Sequence, residues 1–129
     1  MLRKFNPEGV SAPQFYSHGV EASGPGRTLY VSGQVGSLPD GSVADGMGPQ
    51  TLAAISNLKS VLAGAGMTID DIAKLTIYLT DESLMGEFQM AGASLLASPP
   101  PAITLLFVKA LASPALFIEI EAVAFKSAD

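Results

Sequence analysis

Phe117-Ile118-Glu119-Ile120-Glu121-Ala122-Val123-Ala124-Phe125 reads as a β-strand carrying two carboxylates two residues apart. Side chains alternate across a strand. Ile118, Ile120, Ala122 and Ala124 therefore form one wholly apolar face, which must be core. The other face carries Glu119 and Glu121 beside Phe117, Val123 and Phe125. Carboxylates interleaved with phenylalanines fit the wall of a cleft or of a subunit interface, where a partly desolvated carboxylate serves as an acid or base. A sheet surface with two hydrated glutamates fits the same pattern.

Working outward, Ala112-Ser113-Pro114 is the turn into this strand. Ala102–Leu111 before it is apolar on both faces, the pattern of a central, covered strand. Ser98-Pro99-Pro100-Pro101 stops a helix whose stripe is Leu84, Phe88, Ala91 and Leu95, with Thr80 or Asp81 as its cap. Ile72–Thr80 alternates as a strand, with Ala73, Leu75, Ile77 and Leu79 inward and Lys74, Thr76, Tyr78 and Thr80 outward. An earlier helix starts near Pro49, repeats Leu52, Ile55, Leu58, Val61 and Leu62, and ends at Gly64 and Gly66. Residues 36–48 are loop. Phe15–Glu21 and Thr28–Val35 read as a hairpin around Ser23-Gly24-Pro25-Gly26, after a loose lead-in over residues 1–14. In Thr28–Val35, Leu29, Val31, Gly33 and Val35 share one face, and Tyr30, Ser32 and Gln34 the other.

The order is β-β-α-β-α-β-β, an α+β sandwich with two helices on one face of a mixed sheet. The other sheet face collects Tyr30, Ser32, Gln34, Thr76, Tyr78, Glu119 and Glu121, with no helix left to cover it. Ile103, Leu105 and Phe107 are expected there too, so a second copy of the chain is the simplest cover.

The bulk numbers agree with that. At 129 residues the expectation is one domain spanning residues 1–129. Apolar residues make up 48% and charged residues 15%, which calls for extra buried surface, most simply a homo-oligomer. A net charge of −5 with seven Lys+Arg gives no footprint for phosphate backbones, so nucleic acid is not an expected partner. No cysteine and one histidine, His18, leave no thiol nucleophile and no expected metal site. No secretory pattern and no apolar run of membrane-spanning length are present, so the expected location is the cytoplasm, away from membranes.

Several segments together resemble the YjgF/RidA family, also labelled endoribonuclease L-PSP or translation inhibitor. They are Tyr16-Ser17-His18-Gly19-Val20, Leu29-Tyr30-Val31-Ser32-Gly33-Gln34-Val35, Gln50-Thr51 with Asn57-Leu58 and Val61-Leu62, Pro101-Ala102, and Ile118-Glu119-Ile120-Glu121-Ala122. The resemblance runs in order along nearly the whole chain. It implies a chorismate-mutase-like sandwich and a homotrimer with a central barrel and three inter-subunit clefts. Active members hydrolyse reactive enamines and imines, such as 2-aminoacrylate, to a keto acid and ammonia without a cofactor.

The chain departs from that pattern where it matters. Active members place an arginine after the Pro-Ala, and its two-pronged guanidinium grips the substrate carboxylate. Ile103 stands there, so the chain resembles an arginine-lacking subgroup. The usual asparagine of the second helix is Gln89, and the bulky aromatic positions after it are Gly92, Leu95 and Leu96.

The resemblance makes Glu119 the expected catalytic carboxylate, placing water and shuttling protons, with Tyr16 donating a hydrogen bond. Pairing of Glu119 with Lys109, hydration in the barrel, or an amphipathic interface role for Tyr16 are the plainer alternatives. Ser32, Gly33, Gln89, Ile103 and Leu105 are the expected substrate contacts. Gly33 also fits a bulge or a close backbone approach. Glu121 reads as interface or barrel lining and His18 as structural. The expected function is a divergent small-molecule hydrolase or deaminase in an inter-subunit cleft. The alternative is a non-catalytic metabolite-binding or regulatory protein, and a ribonuclease role fits the acidic chain poorly.

Overall fold

The computed structural model describes residues 1–128 and centres on that strand. β6 (Ile118–Ser127) lies between β3 (Gly26–Val35) and β4 (Ile72–Leu79), and β5 (Ala102–Phe107) flanks β4, giving the order β3-β6-β4-β5. β4 and β5 are parallel, and the other neighbours are antiparallel, so the sheet is mixed. Ile118, Ile120, Ala122 and Ala124 are buried as their alternation requires, while Glu119 and Glu121 are half-buried on the reverse face.

Two helices cover the apolar face. α1 (Met47–Gly64) buries Met47, Gln50, Thr51, Ala54, Ile55, Leu58 and Leu62. Leu52 and Val61, expected on this stripe, are exposed because they fall outside the arc centred on Ala54, Leu58 and Leu62. The helix starts two residues before Pro49, which stays among the first turn's unpaired N–H positions and so loses no bond. α2 (Met85–Ala91) is short and runs between 3₁₀ turns at Glu82–Leu84 and Gly92–Leu95, with Phe88 and Leu95 buried. Asp81 caps the first of these turns by accepting from the Ser83 N–H at 2.9 Å.

The lead-in is not loose. Leu2–Phe5 forms β1 and pairs antiparallel with β2 (Gly19–Ala22), from Leu2 opposite Ala22 to Phe5 opposite Gly19. The order is thus β-β-β-α-β-α-β-β, and β3 turns to β6 rather than back to β2. Gly19 is what admits Phe5: a Cβ there would stand 2.7 Å from the ring. Arg3 adds an ion pair to Glu21 at 3.1 Å and lies over the Phe5 ring. Residues 15–18 are not strand. Ser17 is buried, with its N–H bonded to the Pro101 carbonyl and its hydroxyl to that of Pro100.

β5 is not central but an edge strand ending at Phe107, with Leu106 and Phe107 exposed. Its alternate residues Ile103 and Leu105 pair in register with Leu75 and Ile77, so they face the helices and not the open side. That is why both faces of the segment read as apolar.

Two bulges shift the expected faces. In β3, Val31 pairs with Ala122 but Gln34 pairs with Ile120 and Val35 with Glu119. Ser32 and Gly33 are the irregular residues, and Gln34 leaves the open face while Val35 joins it. In β4, Ile72 pairs with Ala124 and Lys74 with Val123, so Ile72 takes the core position expected of Ala73.

Candidate functional site

The open sheet face carries one polar cluster. Register sets Tyr78 opposite Glu119 and Thr76 opposite Glu121. The Tyr78 hydroxyl donates a short hydrogen bond diagonally to the Glu121 carboxylate. That bond holds the Tyr78 phenol above its usual pKa, helped by desolvation and by the charges of Glu121 and Glu119. The Glu119 carboxylate lies directly on Gly33, where a Cβ would collide with it. The β3 bulge and the missing side chain at Gly33 together make that approach available. Lys74 Nζ turns to Thr104 Oγ1 at 2.7 Å. Among the described residues neither glutamate has an ion-pair partner, and Lys109 does not pair with Glu119.

Gln50 supports this strand from below. It is buried, donates to the carbonyls of Ala44 (3.1 Å) and Ala115 (2.8 Å), and accepts from the Phe117 N–H at 2.8 Å. One side chain therefore fixes the turn into β6 two residues before Glu119. Gly36 packs against it so closely that a Cβ would meet Gln50 at 2.5 Å.

The helix side holds a different feature. A pocket of about 500 Å³ lies between α2 with its following 3₁₀ turn and strands β4 and β5. Ile77, Ile103 and Leu105 form its sheet wall, Phe88, Gln89, Gly92, Leu95 and Leu96 its helical wall, and Phe15 its rim. None of its lining residues is charged, and Gln89 is the one with a polar side chain.

Of the residues the sequence singled out, Gln89, Ile103 and Leu105 thus share this pocket. Tyr16 follows Phe15 in the chain but is not among the lining residues; it is exposed and edge-on to the His18 ring at 5.4 Å. Glu119, Ser32 and Gly33 gather on the opposite face. One copy of the chain does not bring the two groups together. His18 is structural: its N–H bonds Asn6 Oδ1 and its Nε2 lies 2.7 Å from the Ser11 carbonyl. Sequence reasoning gave Tyr78 no functional role, although alternation in β4 already placed it on the open face, and it used Gln50 only as part of the family resemblance, with no role assigned. Among the described residues, no three His, Cys, Asp or Glu side chains are placed to hold a metal, and no helix is long and apolar enough to cross a membrane.

A mixed sheet with two helices on one face, a glutamate over a bulge glycine and a pocket at the sheet edge define a class that comparison with known proteins identifies. The family model described as endoribonuclease L-PSP matches residues 9–126. A RutC family protein of Pyrococcus horikoshii is 31% identical over 117 residues, covering 86% of each chain. The crystal structure of a Rid family protein of unknown function, YyfB from Yersinia pestis, superposes with a TM-score of 0.84 at 35% identity, over 95% of this chain and 97% of that one. RidA from an Antarctic Psychrobacter superposes with a TM-score of 0.72 at 27% identity, over 95% and 94%. The chain belongs to the YjgF/RidA family, the one also called endoribonuclease L-PSP.

Proposed function

We propose that this protein is a divergent, cofactor-free hydrolase of small imine-like molecules, working as a homotrimer in clefts between subunits. The observation that carries the proposal is the separation of the two half-sites. Glu119 and Gly33 lie on the uncovered sheet face, the Ile103 pocket on the covered one. A cleft using both draws the carboxylate from one copy and the pocket from another. The uncovered face and the exposed edge of β5 suit that assembly.

The chemistry follows from Glu119. Its carboxylate takes a proton from a water as the oxygen attacks the imine carbon, and the C=N π pair moves to nitrogen. Glu119 returns that proton to nitrogen, giving a neutral carbinolamine, and then takes the proton of the new hydroxyl and passes it to nitrogen, so that the C–N bond breaks, ammonia leaves and the carbonyl forms. Tyr16 and the Ser32-Gly33 bulge are the proposed hydrogen-bonding contacts. Ile103 offers nothing to a carboxylate, which sets this chain apart from arginine-bearing relatives. The test is Glu119→Gln: imine turnover is lost while size-exclusion elution stays that of wild type. Unchanged turnover in Glu119→Gln refutes the catalytic assignment.

A second reading, a non-catalytic metabolite-binding protein, is favoured by the uncharged pocket lying apart from the carboxylates. It predicts ligand-induced stabilisation without turnover of any imine.

A further inference from the structure

We propose that the pocket between the Gly92–Leu95 turn and β5 binds an uncharged aromatic or branched-aliphatic molecule with a single hydrogen-bonding group, and that Gly92 sets its size limit. This rests on the reading of Ile103 as a cleft wall and names the ligand class that wall admits.

Three observations carry it. The first is charge. No lining residue is ionisable, so a buried carboxylate or ammonium there would lose its water and gain no partner. The second is polarity. Gln89 is the one polar lining side chain, and its amide both donates and accepts, which suits one amide, carbonyl or hydroxyl. Phe15 and Phe88 offer aromatic surface on rim and wall. A cavity of about 500 Å³ is of the size small ligands occupy.

The third is Gly92. Its backbone, φ −83° and ψ −1°, is open to any residue, so no conformational demand requires glycine. A Cβ there would rest 3.4 Å from the Phe88 ring, an ordinary contact. Helical packing therefore tolerates a side chain at this position, and what the glycine leaves free is space along the pocket wall. A longer side chain at 92 fills that space.

The experiment uses a matched pair of probes, phenylacetamide and phenylacetate, titrated calorimetrically into the full chain. The expected result is binding of phenylacetamide at least tenfold tighter than phenylacetate. Gly92→Leu then weakens the amide at least tenfold, and Ile103→Arg reverses the preference toward phenylacetate. Equal affinity for both probes, binding of neither at millimolar concentration, or amide binding unchanged by Gly92→Leu overturns the proposal. If Gly92→Leu does not melt cooperatively, Gly92→Ala is read instead, with a smaller loss expected and no loss counting against. An imine-turnover assay on the wild-type chain, run beside the titrations, separates this proposal from the hydrolase reading. Amide binding retained by a protein that turns over no imine leaves the pocket assignment standing and removes the catalytic one. Imine turnover by a protein that binds neither probe does the reverse.

Discussion

Replacing Gln50 by Leu removes three hydrogen bonds while keeping nearly the same volume in a site that is 1% exposed. The lost bonds run to the carbonyls of Ala44 and Ala115 and from the N–H of Phe117. At about 1 kcal/mol net for each, with the backbone groups left short of partners, the expected loss is about 3 kcal/mol. Leucine buries two methyls where glutamine buries an amide, and the desolvation cost of the backbone groups left without partners offsets that gain. The assay is urea denaturation at fixed protein concentration, since assembly would make stability concentration-dependent. The midpoint should fall with the slope unchanged, and the Phe117 amide should lose its protection from hydrogen exchange. A loss below about 1 kcal/mol, or a Phe117 amide as protected as in wild type, refutes the idea that one buried amide anchors the start of β6.

Two further outcomes follow from the open face. Gly33→Ala should fold with stability within about 1 kcal/mol of wild type, because the clash is with a side chain that can swing away, yet imine turnover should drop as the Glu119 carboxylate is displaced; turnover equal to wild type at unchanged stability contradicts it. Tyr78 ionises late in the folded protein because its proton is held by Glu121 and its anion would face two carboxylates. Its raised pKa contributes stability that is fully present below pH of about 10, the unfolded value, and is lost as pH rises through the folded one. Spectroscopic titration should therefore show a late tyrosine step in wild type that Tyr78→Phe removes.

The sheet's central strand was legible because strict alternation leaves one consistent burial, and the structure follows it from Ile118 to Ala124; Phe125, expected on the open face, is buried as well. Asp81 as a cap and the Phe88 and Leu95 stripe were legible for the same reason, a local pattern with one physical use. The misread features depend on distant partners. β1 holds Arg3 and Lys4 and has no apolar alternation, so only its pairing with Gly19–Ala22 makes it a strand. β5 looks like a central strand because one apolar side meets the helices and the other is open. The bulges at Ser32-Gly33 and Ala73 reverse alternation without any composition signal beyond a glycine. The candidate site was half legible. Its residue types were readable one by one, but their division between two faces follows from the β4–β5 register, which no local pattern encodes.

The central claim is that a working site takes Glu119 from one copy and the Ile103 pocket from another. Subunit complementation tests it most directly. Glu119→Gln and Gly92→Leu chains, each inactive alone toward the imine that an amine oxidase makes from phenethylamine, are mixed in equal amounts, unfolded together and refolded. If the halves come from different copies, random assembly restores about one quarter of the sites, and turnover should recover to about that fraction of wild type. Turnover that stays at the level of the separate variants, in a mixed oligomer verified by differential tagging, would contradict the claim.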